Sequence, residues 1–317
     1  MKILANDGMS QSGIDALTAG GHEVITNKVA QEQVANFINE NGIEALVVRS
    51  ATKVRTDVID SCPGLKIIGR GGVGMDNIDV EYARGKGIHV INTPAASSES
   101  VAELVFAHLF TGVRFLHESN REMPLEGDTQ FEKLKKSYAN GIELRGKTLG
   151  IIGLGKIGQA VAKIAIGMGM RVIASGRSVR NCPVTLEFFD GQKVTVEITT
   201  GPMEDVLRQS DFITVHVPGQ EGYLIGKDEF ELMKDGTGII NCSRGGVVDE
   251  VALVEALESG KVSFAGLDVF ENEPTPAIQI LMHPAISLTP HIGAATLEAQ
   301  DRIGTELAAQ INELARA

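Results

Sequence analysis

The sequence predicts an α/β protein built from two doubly wound parallel-sheet domains. Two observations carry that expectation. An apolar strand, Thr148–Ile152, runs straight into Gly153-Leu154-Gly155-Lys156-Ile157-Gly158. Beyond it Ile157, Ala160, Val161, Ile164, Ala165 and Met168 recur at helical spacing before a second strand, Met170–Ala174. In the first ninety residues, short apolar strands alternate with amphipathic segments, the pattern of a parallel sheet with crossover helices.

The glycine pattern predicts a dinucleotide site. Gly153 makes the tight turn, Gly155 lets backbone approach a pyrophosphate, and Gly158 lets helix and strand pack closely. Lys156 and Ile157 open the helix, whose free N–H groups and partial positive charge favour phosphate. This is the nucleotide-binding arrangement of a Rossmann domain.

Composition bounds the rest. At 317 residues the chain is long enough for two cores. Its net charge of −12 argues against nucleic acid, whose binding needs Lys and Arg to neutralise phosphates. No apolar run reaches the roughly 18 to 20 residues of a membrane span, and Met1 leads directly into strand-like Lys2–Ala5 without a signal-peptide core. Cys62, Cys182 and Cys242 have neither disulfide nor zinc spacing. The expectation is a reduced, cytoplasmic protein without metal, nucleic acid or membrane as partner.

In chain order, the strand candidates of the first domain are Lys2–Ala5, Glu23–Thr26, Ala45–Val48, Leu65–Ile68 and His89–Asn92. Helical stretches at Ser12–Ala19, Gln31–Asn39 and Val80–Arg84 separate them. Gly69-Arg70-Gly71-Gly72-Val73-Gly74 also follows a strand and fits the same glycine pattern. The helix beyond it is short and polar, however, and the next strand ends at Asn92-Thr93-Pro94 without a carboxylate for a ribose. Its expected role is an anion-holding nest of backbone N–H groups, suited to a substrate carboxylate. Pro94–Ser98 reads as a crossing linker. Ser100–His117 reads as one long helix, apolar nearly all round, and Glu118–Gly146 as irregular and charged. Further strands are expected at Asp211–Val217, Thr237–Asn241, Ser263–Val269 and Ala285–Thr289, with a last amphipathic helix at Leu297–Leu314. Asp190-Gly191 lies between two runs of strand formers and signals a hairpin, expected to protrude near the adenosine end of the cofactor site.

Three further motifs stand in order: Asn241-Cys242-Ser243-Arg244-Gly245-Gly246, Gly266-Leu267-Asp268-Val269-Phe270-Glu271-Asn272-Glu273-Pro274, and Thr289-Pro290-His291-Ile292-Gly293-Ala294. With Gly153–Gly158 they resemble the D-2-hydroxyacid dehydrogenase family over essentially the whole chain. The resemblance implies a Rossmann cofactor domain plus a flavodoxin-like substrate domain, with the active site in the cleft between them. It implies Arg244, Glu273 and His291 as the catalytic set. The chemistry agrees. A guanidinium fixes a 2-hydroxy acid in bidentate fashion, a His serves as base in one direction and acid in the other, and an acidic partner favours the imidazolium and orients the ring. Around the cofactor the resemblance places Val217, Cys242, Ser243, Asp268, Gly293 and Ala294, with Cys242 lining the nicotinamide pocket. His216 reads as structural, while His22, His89, His108, His117 and His283 join no constellation.

Within the family, Val48-Arg49-Ser50-Ala51-Thr52-Lys53-Val54 and Gly69–Asp79 resemble the phosphoglycerate dehydrogenases. That likeness implies substrate contacts from Arg49, Ser50, Gly72, Val73 and Gly74. Phe131-Glu132-Lys133 resembles a segment that in some relatives reaches across a dimer. One departure concerns the cofactor. The ribose-binding Asp of NAD-dependent members falls at position 176, where this chain reads Ser175-Gly176-Arg177-Ser178, so both NAD and NADP remain open with NADP(H) favoured through Gly176, Arg177 and Ser178. The hairpin is a second departure, and the absence of serine-sensing domains after the last helix is a third.

The expected domains are residues 1–96 completed by 290–317 for substrate, and residues 97–289 for the dinucleotide. The leading expectation is oxidation of D-3-phosphoglycerate to 3-phosphohydroxypyruvate in serine synthesis. The alternative is an NADPH-dependent glyoxylate/hydroxypyruvate reductase, and the remote one a corepressor-like NAD(H)-sensing binding protein. A homodimer is expected on the long helix and the stretch after it.

Overall fold

The computed structural model describes residues 1–316, which form two compact units. Met1–Ser98, with the segment from Ala294 onward, makes the first. Its strands β1 (Lys2–Ala5), β2 (Glu23–Ile25), β3 (Ala45–Val48), β4 (Ile67–Arg70) and β5 (His89–Asn92) lie in the order β2-β1-β3-β4-β5. All pairs are parallel, which is the flavodoxin-like order with its topological switch between β1 and β3. All four residues of β3 are buried, as expected where both faces of a parallel sheet are covered. β4 begins two residues later than the sequence suggests. The Leu65 N–H turns back to the Cys62 carbonyl, while those of Lys66 and Ile67 both reach the Glu44 carbonyl, so the ladder starts only at Ile67.

Helix Leu297–Leu314 closes this unit. It buries Ala299, Ile303, Gly304, Leu307, Ala308 and Ile311, spaced three or four apart on one face. Thr296 caps it by accepting from the Ala299 N–H. It packs on helix Gln11–Ala19 so closely that a Cβ on Gly13 would sit 2.8 Å from Gly304 backbone.

The second unit, Glu99–Gly293, contains β6 (Thr148–Ile152), β7 (Arg171–Ser175), β8 (Asn181–Glu187), β9 (Lys193–Gly201), β10 (Phe212–Val215), β11 (Thr237–Asn241), β12 (Val262–Leu267) and β13 (Ile286–Leu288). Their order is β13-β12-β11-β10-β6-β7-β9-β8. This is the Rossmann order with β9 in the third position, β13 added at one edge and β8 at the other. Only β8 runs antiparallel.

Three expectations need correction. The long helix spans Ser98–Arg114, not Ser100–His117, because Phe115 adopts a left-handed backbone with φ 55°. Within this chain Glu99, Glu103, Ala107, Phe110 and Arg114 form an exposed stripe along it. The stretch expected to be irregular contains helices Leu116–Glu126 and Phe131–Ser137. The first of these buries no residue and the second only Leu134, so neither leaves an apolar periodicity to read.

The hairpin forms, with Glu187 opposite Lys193 and Gly191 at φ 84° in a tight turn, but it points the other way. β9 runs parallel to β7 and meets it only at Thr200 and Gly201, beside Ala174 and Ser175. The Asp190-Gly191 tip therefore lies about 30 Å down the strand, at roughly 3.4 Å per residue, toward the amino-terminal edge of the sheet. Only the base of the hairpin stands at the carboxyl ends of the strands.

The Gly13 contact sets the sign of a substitution. Gly to Ala inside a helix ordinarily gains about 0.5–1 kcal/mol. Here the added methyl meets backbone that cannot step aside, and overpacking costs about 1–3 kcal/mol. Gly13→Ala is expected to destabilise the protein, read as a lower urea midpoint with unchanged slope.

Candidate active site

The cofactor loop follows β6. Gly153 takes φ 99° and donates its N–H to the Ser175 carbonyl at 3.0 Å. A side chain there would meet the His216 carbonyl oxygen at 2.3 Å, so the ends of β6 and β10 approach as only glycine permits. A Cβ on Gly158 would lie 2.2 Å from the Gly153 oxygen, whereas Gly155 has nothing within 4 Å and faces open space. Helix Lys156–Gly167 starts at Gly155 without a side-chain cap, which leaves its first-turn N–H groups available. Open space over unspent donors fits a pyrophosphate.

After β7, Ser175 is buried while Gly176, Arg177, Ser178, Val179 and Arg180 are exposed. The loop carries no carboxylate. A Cβ on Gly176 would make only ordinary contact, 3.5 Å from Thr200 Cγ2. Arg180 reaches back across the site: its Nη2 donates to the Leu154 carbonyl of the glycine loop at 3.1 Å, and its N–H to Thr200 Oγ1 at 3.0 Å. Arg180 has no periodicity or motif to mark it in the sequence.

The predicted catalytic side chains stand on loops after β11, β12 and β13. Asn241 Oδ1 accepts from the Ser243 N–H and hydroxyl, and its Nδ2 donates to the Arg244 carbonyl, shaping the Arg244 turn. That turn lies against the segment bearing Glu273, since a Cβ on Gly245 would strike the Phe270 oxygen at 1.8 Å. Glu273 Oε1 accepts from the Phe270 N–H at 3.0 Å, and Oε2 holds His291 Nδ1 at 2.8 Å. Both side chains remain more than a third exposed, at 44% and 36%. The His291 Nε2 edge is therefore the one left for a reacting oxygen.

In the first unit, Arg49 and Ser50 follow β3 at the switch point. Asp7 Oδ2 accepts from the N–H groups of Arg49 and Thr52, and Asn77 Nδ2 donates to the Arg49 and Thr52 carbonyls. Gly72 takes φ 140°, where any side chain would collide with the Arg70 guanidinium, so Arg70 belongs to this loop as well. Among the described residues the Val73 and Gly74 N–H groups meet no backbone carbonyl.

Comparison with known proteins decides the family. Residues 106–293 match the D-isomer specific 2-hydroxyacid dehydrogenase, NAD binding domain. A hydroxypyruvate reductase of Thermotoga maritima is 42% identical over 294 residues, covering 91% of this chain and 90% of that protein. A D-3-phosphoglycerate dehydrogenase of Methanocaldococcus jannaschii is 40% identical over 318 residues, covering all of this chain but 58% of that protein. An NADPH-dependent glyoxylate/hydroxypyruvate reductase of Sinorhizobium meliloti, solved with NADP and malonate, superposes with a TM-score of 0.79 at 26% identity over 98% of this chain and 92% of that one.

The chain belongs to the D-isomer specific 2-hydroxyacid dehydrogenase family. The dehydrogenase thus carries an NAD-binding domain and performs hydride-transfer chemistry on 2-hydroxy acids.

Four groups of the dehydrogenase refine what the sequence suggests. Asp268, 1% exposed, is taken up by the His291 turn: Oδ1 accepts from the Thr289 hydroxyl and the Ile292 N–H, Oδ2 from the Gly293 N–H. His108, expected to join no constellation, contacts Ser287 and Thr289 instead. His216 is half-buried beside the glycine loop with Nε2 against Thr214 Oγ1, and the desolvation of its ring pushes its pKa down to about 3, so it is neutral at working pH. Burial likewise pushes the Cys242 thiol well up and makes it a poor nucleophile. Among the described residues no group of three His, Cys, Asp or Glu is placed to hold a metal, and no helix is long and apolar enough to cross a membrane.

Proposed function

We propose that the dehydrogenase interconverts D-3-phosphoglycerate and 3-phosphohydroxypyruvate, the entry to serine synthesis, in the cytoplasm. The observation that carries this reading is the Arg49-Ser50 pair at the switch point of the first sheet, held beside a glycine loop whose Val73 and Gly74 N–H groups meet no backbone carbonyl among the described residues. A guanidinium and a hydroxyl suit a phosphate, and the N–H nest suits a carboxylate. Arg70 joins the same loop.

Arg244, Glu273 and His291 are the catalytic residues in this reading. Bound nicotinamide dinucleotide supplies or takes up the hydride. Arg244 fixes the carboxylate and the 2-oxygen of the substrate. His291 gives its Nε2 proton to the 2-oxygen in reduction and takes it back in oxidation. Glu273, bonded to Nδ1, orients the ring. Gly153, Gly155, Lys156, Ile157 and Gly158 hold the pyrophosphate. Val217, Cys242, Ser243, Gly293 and Ala294 surround the nicotinamide end. Exposed Phe110, Leu116, Met123, Leu125 and Phe131 support a homodimer built on this segment.

Removing the His291 imidazole (His291→Ala) is expected to lower kcat roughly 10²- to 10⁴-fold while leaving the dinucleotide Kd nearly unchanged. Arg244→Ala is expected to damage KM and kcat together, because Arg244 holds substrate in ground and transition states alike. Steady-state kinetics with fluorescence titration of the reduced cofactor checks both.

Phosphate recognition separates the two substrate readings. Arg49→Ala is expected to raise KM for 3-phosphohydroxypyruvate about 10- to 150-fold more than for hydroxypyruvate, as a charge-assisted contact of about 1.5–3 kcal/mol requires. Equal effects on both would favour the second reading.

That second reading is an NADPH-dependent glyoxylate/hydroxypyruvate reductase, and the Gly176–Arg180 loop favours it. A carboxylate at position 176 would bind the ribose hydroxyls and repel a 2′-phosphate, whereas Gly176 does neither. Arg177, Ser178 and the back-crossing Arg180 offer donors instead. NADPH is expected to give about 10- to 150-fold better kcat/KM than NADH, from one Arg–phosphate contact. Gly176→Asp with Arg177→Ala is expected to reverse the order, and the ordinary contact at Gly176 leaves room for that side chain.

A further inference from the structure

His108 lies on the helix Ser98–Arg114, 2% exposed and seated directly on β12: a Cβ on Gly266 would come 2.5 Å from the His108 Cβ. Its ring nitrogens end on two hydroxyls, Nδ1 at 2.8 Å from Ser287 Oγ and Nε2 at 3.0 Å from Thr289 Oγ1.

The hydrogen-bond inventory fixes the tautomer. Thr289 has one hydroxyl proton, and it goes to Asp268 Oδ1 at 2.6 Å. The Thr289 oxygen must therefore accept from His108, which places the ring proton on Nε2. Nδ1 is then the acceptor, and the Ser287 hydroxyl donates to it. Burial lowers the His108 pKa, in keeping with a neutral ring that carries this single proton.

The chain of donors has one direction: Ser287 to His108, His108 to Thr289, Thr289 to Asp268. It ends on the carboxylate that accepts the N–H groups of Ile292 and Gly293 at 2.8 Å each. Those two residues follow His291, whose φ of 54° is a left-handed conformation that non-glycine residues adopt only when their surroundings hold them there. Asp268 thus clamps the turn on one side while Glu273 holds the ring on the other.

We propose that His108 is a positioning residue for His291. Its Nε2–H aims the Thr289 hydroxyl at Asp268, and the carboxylate so fixed sets the turn that presents the catalytic imidazole. The inference rests on the reading of His291 as the acid–base group. His108 touches neither substrate nor cofactor in this role. Its loss should therefore appear in the rate of the step His291 serves, and not in binding.

Three variants of the full chain test it, assayed with hydroxypyruvate and NADPH and normalised to titrated active sites. His108→Leu keeps the volume and removes the donor, His108→Gln keeps an N–H donor, and Thr289→Val removes the hydroxyl. Thr289→Val is expected to lose about tenfold or more in kcat, the scale of one hydrogen bond to a charged group, and His108→Leu about fivefold, the scale of a neutral one. KM for hydroxypyruvate and Kd for NADPH should stay within about twofold, and His108→Gln should recover most of the lost rate. A purely structural His108 would lower the melting temperature and the active fraction while leaving kcat per active site unchanged. That result in His108→Leu, or a His108→Gln as impaired as His108→Leu, overturns the inference. If His108→Leu does not fold, Thr289→Val decides by the same criterion. An inactive His291→Ala beside a fully active His108→Leu removes this inference alone, whereas a fully active His291→Ala removes the acid–base reading on which it stands.

Discussion

The Asp268 carboxylate is the fixed point of the reactive end of this dehydrogenase. Its backbone N–H donates to the Asn241 carbonyl, and the Asn241 side chain in turn shapes the Arg244 turn. Its own side chain holds the turn after His291. The Arg and the His are thus referenced to the same buried group, although 47 residues separate Arg244 from His291 in sequence. A buried carboxylate without a cation is costly unless donors surround it. Three N–H and O–H donors do so here, and each bond to a charged acceptor is worth about 1.5–3 kcal/mol. The same donors that make the charge tolerable fix the backbone of the loop, so stability and positioning come from one arrangement.

The dinucleotide end works on the opposite plan. Between Gly153 and Gly158 the usable groups are backbone N–H donors at a helix start; neighbouring backbone fills the place of a side chain at Gly153 and Gly158, and Gly155 leaves open space. Such a cradle binds any pyrophosphate and cannot tell one dinucleotide from another. In the reading proposed above, discrimination falls to the loop after β7, whose residues Gly176 to Arg180 are exposed. That division explains how a family-wide NAD-binding domain accommodates a loop with no carboxylate and two guanidiniums.

The parts legible in the sequence are those governed by local periodicity. The switch from strand to 3.6-residue spacing at Gly153–Gly158 and the one buried face of the final helix Leu297–Leu314 are written as a helical period, and the strands of the first sheet as short apolar runs. The helices Leu116–Glu126 and Phe131–Ser137 bury almost nothing and so wrote no period. Asp190-Gly191 announced a hairpin because turn chemistry is local. The direction of the hairpin depended on which strand β9 pairs with, which turn chemistry cannot encode. Asp268, Glu273 and His291 were findable from motif resemblance. His108 and Arg180 were not, because each acts through a contact that only tertiary pairing creates.

The hairpin shows how such pairing bears on the site from a distance. Between Ser175 and Gly201 the chain leaves the carboxyl edge of the sheet, runs down β8, turns, and comes back up β9 to the edge it left. The long ladder between β8 and β9 fixes the return point, so the entropy of closing the Gly176–Arg180 loop is met by pairing far from the cofactor. At the base, Thr200 Oγ1 accepts from the Arg180 N–H and donates to the Ser178 carbonyl, which locks the loop shut. Arg180 is then held where its guanidinium meets the Leu154 carbonyl. A short connection between β7 and β9 has no residue to spare for this crossing. The hairpin bears on the glycine loop at its base, where the paired strand holds the connection that carries one guanidinium onto the Leu154 carbonyl.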